Sequence, residues 1–207
     1  MSRLWPERVV MTFSPAQDSV GEQEPWRGAL EDLTRKVAAL RGRADVTVVL
    51  SNHFVRYAVL PAQDGAATAE EELALARFQF AKIHGDRAKA WDVRVSPEGE
   101  GAQLACAIDT ELLQGIKACF AKAGKARLAS VQPFLMAAFN ESRRRIPGEG
   151  AWLVLAERER TCLARVAARG WASVHNGRET DAEELLERER SRASGERLPS
   201  LVLKHQL

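Results

Sequence analysis

The apolar positions of this chain follow two rhythms, steps of three and four and strict alternation, and the points where one replaces the other mark its elements. Residues 8–13 (RVVMTF) form a short apolar run that predicts a strand. The polar stretch from Ser14 to Glu24, with Pro15 and Gly21 inside it and Pro25 after it, predicts a loop. Leu30, Leu33, Val37 and Leu40 then repeat at helical spacing, with Gly42 as the stop. From Asp45 the pattern becomes VTVVL, then SNH, then FVRYAVL, two β-branched and aromatic runs a turn's length apart, which predicts a hairpin. Glu70, Glu71 and Glu72 load the first turn of a second helix, where the positive end of the backbone dipole favours carboxylates. Its inner face is expected to hold Leu73, Ala76, Phe80 and Ile83, broadened by Leu75 and Phe78, and Gly85 closes it.

WDVRVS alternates, with Trp91, Val93 and Val95 on one side, and PEGEG turns the chain into QLACAI, a second hairpin signal. Asp109 or Thr110 caps a helix whose buried face is Leu112, Leu113, Ile116, Cys119 and Phe120, with Gly124 beyond it. A strand RLASV leads to Pro133 as the first residue of a helix that carries Phe134, Leu135, Met136 and Phe139. That helix ends in Arg143, Arg144 and Arg145, which suit the negative end of its dipole. Three strands follow (AWLVLAE, TCLARVAA, WASVHNG), then a helix from Asp181 to about Arg192 and a final strand LPSLVLK. The organisation is an N-terminal strand-loop-helix segment over 1–44, an α/β subdomain over 45–149 and a β-β-β-α-β unit over 150–207. Such a unit opens the ribonuclease H-like and actin-like folds, so the expected class is α/β with two subdomains and mixed sheets.

Composition adds exclusions rather than a function. With 30 Lys+Arg interleaved among 28 Asp+Glu in 207 residues, no basic stripe points to nucleic acid. Cys106, Cys119 and Cys162 make neither a disulfide scaffold nor a C-x-x-C zinc pattern, and each sits among apolar neighbours. No apolar run approaches a membrane span and no signal peptide is visible, so a cytoplasmic location is expected.

Catalytic constellations are as scarce. A two-metal nuclease needs converging carboxylates, but Asp45, Asp92, Asp109 and Asp181 fall at strand starts, on an outward face or at helix caps. Glu157 lies in the run ERER, which reads as a solvated hairpin tip. His53, His84, His175 and His205 have no local acid or nucleophile pattern, and no G-x-S-x-G, G-x-G-x-x-G or Walker sequence occurs. Trp91, Trp152 and Trp171 open strands in alternating register and are expected in the core, whereas Trp5 and Trp26 are candidates for a partner surface.

Over residues 46 to about 186, several segments together resemble a known family. These are VTVVLSNHFVRYAVLP, the helix EEELALARFQFAKIHG, the strand pair WDVRVS and QLACAID, and ELLQGIKACFAKAGKARLASVQPFLMAAF. They resemble the core of the type IV pilus assembly actin-like protein PilM and the cytoplasmic domain of type II secretion protein L. Leu60-Pro61, Asp109, Leu113, Ala123-Gly124 and the strand Leu128 to Val131 occupy the matching places. Nucleotide-binding members carry Asp-Ile-Gly-x-x-x-Thr, a hairpin whose amides cradle phosphates. With Thr161 on the last Thr, Leu155 stands where the Asp belongs and Glu157 where the Gly belongs. Residues 1–44 contain no D-x-G.

The resemblance with both phosphate loops missing implies a non-catalytic scaffold that needs no cofactor and no metal. Its implied partner is an inner-membrane component of a pilus or secretion platform, engaged through a short peptide in the groove between subdomains. The expected groove residues are Arg56 and Tyr57 on the first hairpin and Asn140 and Arg143 on the helix facing it. Strands 46–60 and 198–203 would offer open edges to an extended peptide or a second copy. Two alternatives stand beside this reading: a divergent ATPase using Arg158, Arg160 or Arg143 to Arg145, and a stand-alone homo-oligomeric domain.

Overall fold

The computed structural model describes residues 7–15, 26–62, 68–96, 101–121, 123–193 and 198–204. Trp5, Gly21 and His205 lie outside these residues, so the readings made of them are not addressed. Within them the strands sort into three sheets. The first is parallel and runs β1 (Glu7–Phe13), β2 (Ala44–Leu50), β6 (Ala126–Pro133). The second is antiparallel and runs β3 (Val55–Leu60), β5 (Gln103–Asp109), β4 (Trp91–Val95). The third runs β10 (Ser200–Lys204), β7 (Gly150–Glu157), β8 (Arg160–Ala167), β9 (Gly170–Gly177), with β10 parallel to β7 and the other pairs antiparallel.

Parallel neighbours require crossovers, and helices supply them. Helix α1 (Arg27–Ala38) links β1 to β2 and packs against α3 (Thr110–Ala121), which leads into β6. The second sheet, with its helix α2 (Ala69–His84), is therefore an insertion between β2 and α3. Helix α4 (Phe134–Ser142) packs on β2 and β6, and its Phe134, Leu135 and Ala138 share a core with Leu153, Leu155 and Ala164 of the third sheet. Helix α5 (Ala182–Arg192) covers the opposite face of that sheet over Trp152, Val154 and Leu163. Because β7 is covered on both faces, its run GAWLVLAE is apolar at nearly every position instead of alternating.

The hairpin expected over residues 46–60 does not form. β2 is the middle strand of the first sheet and β3 pairs with β5 in the second, so a single 3-10 turn, Asn52–Phe54, carries the chain from one sheet to the other. A hairpin partner for β2 would need an edge that β1 and β6 already occupy. For the same reason β2 offers no open edge, whereas β3 and β10 are end strands of their sheets. Helix α2 buries only Ala76 and Phe80 fully, and Phe78 and Ile83 stand 63% and 66% exposed rather than inside. A three-stranded sheet is too narrow to cover more of the helix. Thr68 and Glu71 close a capping box at its start, and Gly85 ends it at φ 62°. Pro133 is the residue before α4 rather than its first, and Trp26 is half-buried against the core of the first sheet rather than on a partner surface.

The second and third sheets meet at a close backbone approach. Trp171 N–H donates to the Ala102 carbonyl at 2.9 Å, and Gly170, at φ 126°, brings the two chains together. A Cβ at Gly170 would land on the Ala102 carbonyl, and the backbone conformation itself disfavours any other residue. Gly170→Ala is expected to lower stability by about 2–4 kcal/mol, the sum of a strained φ and a backbone displacement. Urea denaturation of the two proteins measures it, and an unchanged midpoint would contradict this account.

Candidate functional site

The end of β2 and the tip of the β7–β8 hairpin face one another, and the polar side chains between them form the most organised buried polar cluster among the described residues. The 3-10 turn after β2 begins at Ser51, whose hydroxyl oxygen accepts from His53 N–H at 3.2 Å. Opposite it, Glu157 closes β7, and its Oε2 accepts from the Asn52 backbone N–H at 2.9 Å. Ser51 and Asn52 are buried, and Glu157 is only 9% exposed. The expectation of a solvated tip at Glu157 is thus overturned: the strand's inward register carries its side chain under the turn, while Arg158 and Glu159 form the exposed tip.

Further bonds tie the same turn to the third sheet. His53 Nε2 lies 2.8 Å from the Arg158 carbonyl and donates to it, which fixes the proton on that nitrogen. Asn176 on β9 donates through Nδ2 to the carbonyls of Asn52 at 2.9 Å and Val55 at 3.0 Å. Arg160 in turn donates to Asn176 Oδ1 at 3.2 Å. The Tyr57 hydroxyl donates to Asn52 Oδ1 at 2.8 Å. The sequence marks none of Ser51, Asn52 or Asn176 as functional. One signal for Glu157 was present: an acid that ends the unbroken apolar run of a strand covered on both faces.

Burial dominates the electrostatics. Desolvation raises the Glu157 carboxyl above the ordinary range, against the downward pull of Ser51, of the Asn52 donors and of the Arg160 charge. Burial likewise lowers His53 and, with the neighbouring Arg56 charge, Arg160. It pushes the Cys106 thiol up to about 11 and Cys162 higher still, so neither presents a thiolate. Among the described residues no group of three His, Cys, Asp or Glu side chains is placed to hold a metal ion. In the cluster the Ser51 hydroxyl and the Asn52 donors lie on the Glu157 carboxylate. Its chemistry is that of a clamp: one internal carboxylate bound by the donors of a turn.

The four residues expected to line a groove do not converge. Strand alternation puts Arg56 and Tyr57 on opposite faces of β3. Tyr57 packs inward between two cores, and burial raises its hydroxyl well above the usual tyrosine value. Arg56 donates to the His53 and Val55 carbonyls at 3.3 Å. Asn140 and Arg143 are exposed at the end of α4 and on its 3-10 extension, and among the described residues no bond or ion pair joins them to Arg56 or Tyr57. A small cleft does lie between the second sheet and α4, about 170 Å³, lined by Arg94, Val95, Ser96, Leu104, Cys106 and Met136.

No protein-family sequence model matches this chain, and no curated relative does. Solved structures do. The cytoplasmic domain of EpsL, an inner-membrane component of the type II secretion system of Vibrio cholerae, has a TM-score of 0.56 at 14% identity, over 86% of this chain and 67% of that one. A chain of the PilM–PilN type IV pilus biogenesis complex has 0.52 at 16% identity, over 80% of this chain and 53% of that one. A protein of Bacteroides thetaiotaomicron with an actin-like ATPase fold and unknown function has 0.56 at 8% identity, over 86% and 68%. The class is therefore plain: the chain has the actin-like ATPase fold, as its sequence resemblance implied. Within that class its backbone is similar to EpsL and PilM, and it spans about half the length of the PilM–PilN complex chain.

The raised Glu157 carboxyl has a consequence for stability. As pH rises past the ordinary glutamate range the unfolded chain gives up this proton before the folded one does, so the folded state binds more protons and loses stability. The contribution is fully present below the unfolded value and is lost as pH rises through the folded one. Glu157→Gln keeps an oxygen acceptor for Asn52 N–H and has no proton to lose. Its stability relative to the parent is expected to climb between about pH 4 and about pH 7. Paired denaturation midpoints across that range check it, and a difference that is flat or falls with pH would contradict it.

Proposed function

We propose that this chain is a non-catalytic actin-like adaptor that binds an inner-membrane component of a pilus or secretion assembly platform from the cytoplasmic side. The observation that carries this reading is the bond from Asn52 N–H to the Glu157 carboxylate. By its sequence register Glu157 stands at the glycine of the phosphate hairpin of nucleotide-binding members. Its carboxylate takes the donors at that mouth, and a second anion there would meet like charge in a desolvated setting. The likeness of the fold to EpsL and PilM supports the choice of partner.

The cleft beside Met136 is where a short peptide from that partner would dock. Val95, Leu104 and Met136 supply apolar contact, and β4 is an end strand of the second sheet, so an extended segment can pair with its backbone. The divergent ATPase reading needs Arg158, Arg160 or Arg143 to Arg145 to hold phosphates. In this geometry the Arg160 guanidinium is bonded to Asn176 and only that of Arg158 stands exposed at the hairpin tip.

Two measurements test the proposal. A thermal unfolding scan with millimolar Mg-ATP is expected to shift the midpoint by less than about 1 °C. Binding at a hundredfold excess over the dissociation constant would stabilise by about 2.7 kcal/mol and raise it by several degrees, and that result would make an ATPase the better reading. Second, the tagged chain is expected to capture a pilus or secretion platform protein from solubilised inner membranes, with Met136→Glu weakening capture at least tenfold. Capture of no such protein, with the chain folded, would remove the adaptor reading.

A further inference from the structure

We propose that Arg56, Arg160 and Arg178 form a site for one small tetrahedral oxyanion, the size of inorganic phosphate, at the junction of β3 and β9. The starting point is a pair of like charges. β8 and β9 run antiparallel with Thr161 opposite Gly177, so one step further along the ladder Arg160 stands opposite Arg178, on the face that carries Cys162 and Asn176. Like charges directly opposite on neighbouring strands are destabilising. The third guanidinium comes from the second sheet. Arg56 Nη1 donates to the Val55 carbonyl at 3.3 Å, Asn176 Nδ2 donates to the same carbonyl at 3.0 Å, and Arg160 Nη1 donates to Asn176 Oδ1 at 3.2 Å. This chain of bonds brings Arg56 to the side of Arg160 on which β9 and Arg178 lie.

No carboxylate answers these charges. Among the described residues no ion pair engages Arg56, Arg160 or Arg178. Of the acids on the β7–β8 hairpin, Glu157 accepts from Asn52 N–H and Glu159 stands exposed at the tip beside Arg158. Arg56 and Arg160 are half-buried, and the Arg160 Nε is buried with no acceptor. Burial, then the charges of Arg56 and Arg178, outweigh the pull of Glu157 and hold Arg160 below its ordinary value. An anion among the three guanidiniums would meet the orphaned donor and cancel the repulsion.

The number of donors selects the class of anion. Three guanidiniums arriving from three chain segments suit a tetrahedral group, which offers an oxygen to each, whereas a planar carboxylate has two oxygens. The site is apart from the phosphate hairpin of nucleotide-binding members, whose donors are backbone amides. Arg178 follows β9, two strands from β7, so it lies about 10 Å from the strand of Glu157, and an anion between Arg160 and Arg178 sits on the far side of Arg160 from that carboxylate. Once bound, it ties Arg56 of the second sheet to Arg160 and Arg178 of the third. The affinity for a free ion is low, on the order of a few millimolar, because water and salt reach the guanidiniums. The site does not rest on the adaptor reading or on the cleft beside Met136.

Thermal unfolding of the full chain, at constant ionic strength with sodium phosphate replacing chloride up to about 50 mM, is expected to raise the midpoint by about 3 °C and then level off. Arg178→Glu sets a carboxylate across from Arg160 at an exposed position and supplies the missing charge. It is expected to raise the midpoint in phosphate-free buffer and to cut the phosphate shift at least threefold. Arg169→Glu makes the same change of charge on the exposed turn at the other end of β8 and β9, and is expected to keep the full shift. In heteronuclear NMR the Arg160 Nε–H resonance is expected to move and saturate over the same concentrations. A midpoint that climbs equally in the parent and Arg178→Glu, a response lost as fully in Arg169→Glu, or an Arg160 Nε–H resonance that stays in place would each overturn the proposal.

Discussion

The arrangement of this molecule depends on one buried carboxylate. Taking the Glu157 side chain out of water is unfavourable by several kcal/mol unless donors meet it, and the donors that meet it belong to the turn between β2 and β3. That turn joins the first sheet to the second, and Glu157 closes the first strand of the third. That contact therefore links all three sheets at one point. Neither side can leave without stranding the other, since an unmet buried donor or acceptor costs about 1–3 kcal/mol. A carboxylate that belongs to the chain has no free concentration, so this brace does not depend on a dissolved ligand.

Asn176 shows how the clamp is completed. Its amide reaches two carbonyls, of Asn52 and Val55, that face β9 without a strand ladder between them. The antiparallel second sheet ends at β3 and the third at β9, and a full ladder between these end strands would merge the two sheets into one. A side-chain amide satisfies the carbonyls that a ladder would have paired and leaves the sheets distinct. The two sheets stay distinct because the junction is made by side chains.

Much of the fold was legible as periodicity. The three-and-four spacing of Leu30, Leu33 and Val37 and of Leu112, Ile116 and Phe120 marked helix faces that are buried as expected. The apolar run of β7 marked a strand covered on both sides. What the chain does not carry in one dimension is which edge meets which. VTVVL and FVRYAVL look like the arms of a hairpin because local pairing is the simplest reading of two strands three residues apart, but the parallel partners of β2 lie far away on both sides in sequence. The site was hidden for a related reason. ERER is a solvated run by composition, and only the turn at Ser51 and Asn52, more than a hundred residues earlier, makes its first member an interior group. Arg56 and Tyr57 are neighbours in sequence, and adjacency along a strand is what separates two side chains onto opposite faces.

Several reactive side chains of this protein are engaged inside the fold. Its buried thiols are held protonated, His53 donates to a carbonyl, and Arg160 and Asn176 are bonded to one another. On the adaptor reading proposed above, the surfaces of interest lie beside the inserted second sheet: the cleft at Met136 and the outer strand β4. A three-stranded sheet with one helix has a thin core and would by itself be a poor platform. Here the clamp grips it at its root, where β3 leaves the turn, and the approach of Gly170 to Ala102 holds it at β5. Held at both points, the insertion presents an ordered surface, and the ordering entropy that any binding to it would otherwise have to overcome is met during folding.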